Sequence, residues 1–288
     1  MQTTQINSAH EFLDGFGEQL IADEIRHSLM HGIAEQVSNN PHSYSITNPW
    51  FVVVEENGIL CGAAICTPPY RVLLAHICGN MDEVVKELCE MIFSIDPSIP
   101  GVIGESVLAD TFNEIWCKAN HAKVEHIMNQ RIYKLTDLLM PRLSQGYFRT
   151  AELKDEETIV SWLKAFHLEL MGEDVLAANS QNFLERTHKR IQDGKLYLWV
   201  DDIPVSMAGS IRPTKNGVSI GAVYTPQQFR NNGYASTCVA MTCRELLKSY
   251  SFCVLYTDLS NPVSNSIYKR IGFKEYCDSA QYTYEKQK

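Results

Sequence analysis

The sequence predicts an α/β (α+β) protein of two domains, each a mixed central sheet flanked by helices. Three observations carry this expectation. The chain has 288 residues, about twice the common domain length of roughly 150. Its apolar runs switch repeatedly between strand and helix periods. A segment from Asp137 to Gly146, containing Pro141 and Ser144, interrupts them near the midpoint. Domains of 1–140 and 146–288 follow.

Composition narrows the partners. Hydrophobic residues make up 45% and charged residues 20% of the chain, as in a soluble globular protein. The net charge is -9, and no Lys/Arg cluster marks a nucleic-acid partner. Acidity suits a cationic substrate, but solubility explains it equally well. No apolar run approaches the ~18–20 residues of a bilayer span, and Met1 to His10 lacks the apolar core of a signal peptide. The 9 cysteines are odd in number and form no C-x-x-C, so neither a disulfide framework nor a metal site is expected. A reducing, cytoplasmic setting follows.

In the first half, Ser8-Ala9-His10-Glu11 reads as a capping box opening a helix with Phe12, Phe16 and Leu20 on one face. Ile25, Leu29 and Ile33 continue on a second helix, ending before Pro41. Strands at 50–54 and 59–66 are joined through Asn57-Gly58, a strong hairpin signal. A helix from Asp82, a short strand at 102–104, a helix at 111–119 and extended chain at 124–135 complete this half. His121 and His126 are too isolated to suggest metal ligands. Pro68-Pro69-Tyr70 stands where a phosphate loop would fall, yet no Arg-x-x-Gly follows.

The second half opens with a strand at Tyr147 to Thr150. A helix led by Glu156 and Glu157, whose charges suit its positive end, precedes another at 182–192 that stops at Gly194. A hairpin at 196–200 and 204–211 leads to a strand at 218–225. That strand delivers R-N-N-G-Y-A-S. A helix N-terminus leaves four N–H groups unsatisfied and carries about half a positive charge, so it binds anions. Gly233 lets the backbone approach a phosphate, Arg230 adds a cation, and Asn231 and Asn232 tolerate turn conformations. Alone, this pattern also describes an ordinary helix start.

A second segment follows one strand later, N-P-V-S-N-S-I-Y-K-R-I-G-F, with Pro262 suited to a first helical position. Together the two segments resemble those of the GNAT superfamily of acyl-CoA-dependent N-acetyltransferases, over residues 146–286. R-N-N-G-Y-A is similar to the family's Q/R-x-x-G-x-G/A, and the second segment to its N-x-x-A-x-x-L-Y-x-x-x-G-F. Ala235 and Ser264 depart from the commoner glycine and alanine. The resemblance implies a GNAT-like sheet with acetyl-CoA as co-substrate. Val223, Tyr224 and Thr225 would line the pantetheine, and Arg230, Asn231, Asn232, Gly233, Tyr234, Ala235 and Ser236 would surround the pyrophosphate. Asn261 and Ser264 would form the other wall. Tyr268 would be the general acid, and the Tyr224 backbone N–H would stabilise the oxyanion. The layout of the first half is similar too, as a degenerate copy without the acyl-CoA loop.

The expected reaction is direct attack of a small-molecule or peptide primary amine on the thioester in a ternary complex. A strand-borne glutamate base is missing from 218–225. Glu169, Glu173 and Asp174 are candidate substitutes, and a solvated turn is the alternative for them. Transfer of another acyl or aminoacyl group, or an idle acyl-CoA-binding regulatory module, remain the competing functions.

Overall fold

The computed structural model describes residues 1–44, 47–171 and 180–285. Ser8 starts the first helix as expected: its Oγ accepts from the Glu11 N–H at 3.1 Å, and Glu11 Oε2 accepts from the Asn7 N–H at 3.3 Å. In chain order the first set of elements is β1 (Gln2–Ile6), α1 (Ala9–Leu20), α2 (Ser28–Asn39), β2 (Trp50–Glu56), β3 (Ile59–Cys66), β4 (Val72–His76), α3 (Met81–Ile95), β5 (Gly101–Glu105), α4 (Ser106–Asn120) and β6 (Val124–Leu135). The same order of types then repeats as β7 (Tyr147–Thr150), α5 (Glu156–Met171), α6 (Ser180–Gln192), β8 (Leu196–Asp201), β9 (Ile203–Pro213), β10 (Gly217–Tyr224), α7 (Tyr234–Leu246), β11 (Phe252–Asp258), α8 (Pro262–Ile271) and β12 (Lys274–Tyr284).

The compact units divide differently from the sequence boundaries of 1–140 and 146–288. The first unit takes in Met1–Tyr133, Tyr256–Pro262 and Glu275–Lys288; the second takes in Lys134–Leu255 and Val263–Lys274. The reason is a long-range strand pairing. β12 runs antiparallel to β5, Ser279 opposite Glu105 through Thr283 opposite Gly101. Gly101 sits at φ 148°, and a Cβ there would lie 2.0 Å from the Tyr282 carbonyl oxygen. Glycine is what allows the strands to close.

In the first unit the strand order is β1-β2-β3-β4-β5-β12-β6. Alternation along β2 loads both faces of this sheet. Phe51 and Val53 pack with Phe12, Leu20 and Met30 from α1 and α2. Val52 and Val54 pack with Val84, Leu88, Phe112 and Trp116 from α3 and α4. Asn57 and Gly58 turn the β2–β3 hairpin at φ 54° and 77°, the left-handed pair that a two-residue turn requires. β1 and β4 were not anticipated from sequence. β1 is a mostly uncovered edge, and β4 is a five-residue strand with four residues buried.

The second unit orders its strands β11-β10-β9-β8-β7. Leu196, Leu198 and Val200 of β8 and Met207 of β9 meet Ile159, Leu163 and Ile191 from α5 and α6. On the opposite face α7 packs down, with Cys238, Val239 and Cys243 buried. All 9 cysteines are free thiols. Among the described residues no group of His, Cys, Asp and Glu could hold a metal ion, and no helix is long and apolar enough to cross a membrane.

Candidate functional site

β10 is where the second unit departs from a regular sheet. It pairs in parallel with β11 at Gly217–Phe252, Val218–Cys253 and Ser219–Val254, and the next five residues of β10 continue beyond that register. On its other edge the register to β9 slips between Gly221 and Tyr224. Ala222 takes φ 53° there, an extra residue that bulges the strand and turns backbone amides out of the ladder. The recorded register with β11 ends at Ser219, and Tyr224 returns to β9 opposite Met207 past the bulge.

The chain then runs through a one-turn helix at Gln227–Phe229 into the R-N-N-G loop. Asn231 and Gly233 adopt φ 68° and 77°. Asn232 Nδ2 donates to the carbonyls of Phe229 and Arg230, both at 3.2 Å, so the loop closes on itself. Gly233 is the N-cap of α7, no side chain caps the helix, and the first turn holds no acid. The orphan N–H groups and the positive end of the dipole therefore face outward. Ser144 lies beside this turn, donating from its Oγ to the Asn232 carbonyl at 2.8 Å and from its N–H to Thr237 Oγ1 at 3.1 Å.

Arg230 does not extend as a free cation. Its Nε donates to the Thr225 carbonyl at 2.9 Å, and its Nη2 donates to both Glu169 oxygens at 2.8 Å. The guanidinium also stands 5.9 Å from the centre of the Tyr224 ring. Tyr224 donates its hydroxyl to Glu169 at 3.4 Å. The ion pair is partly exposed and is worth no more than about 1 kcal/mol; its effect is to position the loop. Tyr234 is anchored through its hydroxyl to Asp201, which leaves only its backbone toward the loop. Thr225 meets Ser206 through their hydroxyls at 2.9 Å.

Tyr268 lies on α8 and is 8% exposed. Its ring meets Phe273 edge-on at 5.9 Å. Burial, with the neighbouring Cys243 thiol adding to it, pushes its hydroxyl up to about 12, and a hydrogen bond with Ser264 opposes the shift. The phenol is protonated at any physiological pH. Asn261 directly precedes α8, its N–H donating to the Asp258 carbonyl at 3.1 Å. Tyr268 and Tyr224 do not hydrogen-bond each other.

The sequence-predicted residues thus fall into a continuous β10–loop–α7 run from Val223 to Ser236 and a separate pair, Ser264 with Tyr268. Glu173 lies outside the described residues. The carboxylate found at Tyr224 and Arg230 is Glu169. The bulge at Ala222 and the turn of Arg230 toward Glu169 were missed from sequence, because neither has a local signal.

This geometry defines a class: an α/β sheet with a bulged strand, a parallel neighbour and an uncapped helix start after the loop. The fold is similar to that of GNAT acetyltransferases of known structure. Residues 202–283 match the family model described as FR47-like protein. A GNAT-family acetyltransferase from Colwellia psychrerythraea superposes at TM-score 0.62 with 11% identity, over 99% of this chain and 100% of that one. A GCN5-related N-acetyltransferase from Sphaerobacter thermophilus gives 0.65 with 14% identity, over 99% and 96%. A tandem GNAT protein from the clavulanic acid biosynthesis pathway gives 0.57 with 12% identity, over 98% and 97%. No curated protein matches the chain.

Proposed function

We propose that the second unit is an N-acetyltransferase that moves the acetyl group of acetyl-CoA to a primary amine. The observation that carries this reading is the uncapped α7 N-terminus at Gly233, which the R-N-N-G loop joins to the bulged end of β10. Backbone N–H groups from Gly233 to Ser236 suit a pyrophosphate, and the edge at Val223 to Thr225 suits an extended pantetheine arm. Asn261 and Ser264 flank the same cofactor.

In the reaction the amine lone pair attacks the thioester carbon, a C–N bond forms and the C–S bond breaks. The backbone N–H of Tyr224 supports the oxyanion. The departing thiolate takes its proton from the Tyr268 hydroxyl, which burial keeps protonated, and the proton that the attacking nitrogen loses as the amide forms restores the phenol. The ammonium form of the acceptor must first lose a proton. Glu169, hydrogen-bonded to Tyr224 and Arg230, is suited to receive it, as one of the candidates Glu169, Glu173 and Asp174.

The test is free-thiol release from acetyl-CoA in the presence of pooled primary amines, for the wild type and Tyr268→Phe. The expected result is amine-dependent release that falls about 10- to 100-fold in the variant, while CoA affinity measured by calorimetry is unchanged. Release that is equal in the two proteins removes Tyr268 from the acid role. An absence of release with acetyl-CoA but turnover with longer acyl-CoA donors reassigns the donor.

A further inference from the structure

The second unit concentrates positive charge in one place that the reaction above does not use. Arg186 and Arg190 stand four residues apart on α6, so they share a helix face. Arg190 lies against β9 at Gly209: a Cβ on that glycine would come 2.5 Å from Arg190 Nη2 and 2.8 Å from Leu196 Cδ2. Gly209 therefore provides the seat for the guanidinium. Arg212, three residues further along β9, turns at φ 45° and adds its charge to the same neighbourhood. His167 of α5 feels both Arg186 and Arg190.

A guanidinium in such a place should be met by carboxylates, since an uncompensated buried charge is strongly destabilising. Among the described residues no carboxylate meets Arg190, and its enclosed Nε and Nη2 find no hydrogen-bond partner there. Burial first, then the like charges of Arg186 and Arg212, lower its pKa to about 10. His167 is held below its usual range by burial and by Arg186 and Arg190, so it stays neutral and adds no further positive charge. This occurs in a chain with net charge -9, where acidic partners are abundant.

We propose that Arg190, seated on Gly209 and backed by Arg186 and Arg212, binds a compact oxyanion, the carboxylate or phosphate group of the acceptor substrate. This inference rests on the acetyltransferase reading only for the word acceptor; the anion site stands on its own geometry. Gly209 is the β-partner of Gly221, three residues before Tyr224 on β10. At ~3.3 Å per residue that is roughly 10 Å along the strand. The acceptor is then an amine whose anionic group lies well away from the reacting nitrogen. Such a substrate replaces the cationic one that the net acidity favours.

The test uses the full chain and two probes, inorganic phosphate and malonate, titrated by calorimetry at constant ionic strength. The wild type should bind at least one of them saturably and gain several degrees in Tm over a sodium chloride control. Arg190→Met should weaken that binding at least tenfold and raise Tm in anion-free buffer, because an unmatched charge has been removed. Should that variant fail to fold, the wild-type titration decides, together with Arg186→Gln on the exposed side of the helix. A wild-type Tm that responds to phosphate and malonate no more than to chloride overturns the site. So does an Arg190→Met protein that is less stable and binds the anion as before. Addition of CoA should leave anion affinity unchanged; displacement would assign the anion to the cofactor and overturn the acceptor role. In the transfer assay, 6-aminohexanoate should exceed its amide in kcat/KM by tenfold or more, and Arg190→Met should erase that ratio. Anion binding without any thiol release would sink the transferase reading and leave the site intact.

Discussion

The two units share an element order and diverge at one helix end. In the first, β4 and β5 run parallel, paired at Val72–Val102 and Leu73–Ile103. In the second, β10 and β11 pair at Gly217 to Ser219. The link from the strand to its helix differs. Residues 77–80 lead straight into α3, where the Asn80 side chain accepts from the Glu83 N–H at 3.1 Å and Asp82 and Glu83 fill the first turn. Residues 225–233 instead build the R-N-N-G loop, and α7 begins uncapped with no acid in its first turn. The first helix satisfies its own dipole; the second presents it. The first unit also pairs its own charges after β4 and β5, Arg26 with Glu105 and with Asp23, while Tyr276 donates to Asp23 at 2.7 Å. The same element order thus carries a capped, acidic helix start in one unit and an uncapped one in the other.

The most direct way to break this comparison is to give α7 the first turn of α3. Ala235→Asp with Ser236→Glu should lower CoA affinity about 100-fold, through like-charge repulsion at the phosphate seat. Helix stability should rise by a few tenths to about 1 kcal/mol. Calorimetry and thermal unfolding read the opposite signs; a double variant that binds CoA normally would show that the helix end is not the site.

Next in size is the closure of the first sheet. Gly101→Ala forces a Cβ onto the Tyr282 carbonyl at a left-handed φ. It should cost the first unit roughly 2–4 kcal/mol. Hydrogen exchange would show loss of protection in β5 and β12, with β8 and β9 retained. Uniform loss across both units would mean that they do not unfold separately.

Glu169→Gln tests the chemistry of the second unit. It keeps the shape beside Tyr224 and Arg230 but removes the proton acceptor, so kcat should fall about tenfold with little change in CoA binding. Unchanged kcat would limit Glu169 to holding the loop.

The smallest effect lies in the first unit. His27 is held below its usual range chiefly by burial, which outweighs its hydrogen bond to the Leu20 carbonyl. A depressed pKa means the unfolded chain binds a proton more readily, so stability should decline as pH falls below ~6.5. His27→Gln should flatten that decline by about 1 kcal/mol or less. Tyr268 gives the mirror case in the second unit. Its raised pKa protects the fold below pH ~10 and that contribution disappears as pH rises through about 12.

The expected element order, the Asn57-Gly58 hairpin and the loop at Arg230 to Ser236 could be read locally, because each depends on periodicity or turn chemistry within a few residues. β1 escaped notice because Gln2 to Gln5 shows no apolar alternation; β4 escaped because five residues after Pro68-Pro69, four of them buried, look like any short apolar run. Tertiary neighbours supply the rest. Glu169 looked no better than Glu173 until α5 set it against Arg230. Arg186, Arg190 and Arg212 formed no cluster in sequence, since β9 and α6 are brought together only by the fold.

The pairing of β12 with β5 has a consequence for biosynthesis. Gly101 leaves the ribosome long before Thr283, its partner, has been made. The first unit is therefore completed last, and a nascent chain must carry an unfinished sheet edge through most of translation. Such an edge is a site for chaperone capture or misassociation. It also makes β12 a poor place for truncation, because a cut near residue 280 would damage the portion of the protein that was synthesised first.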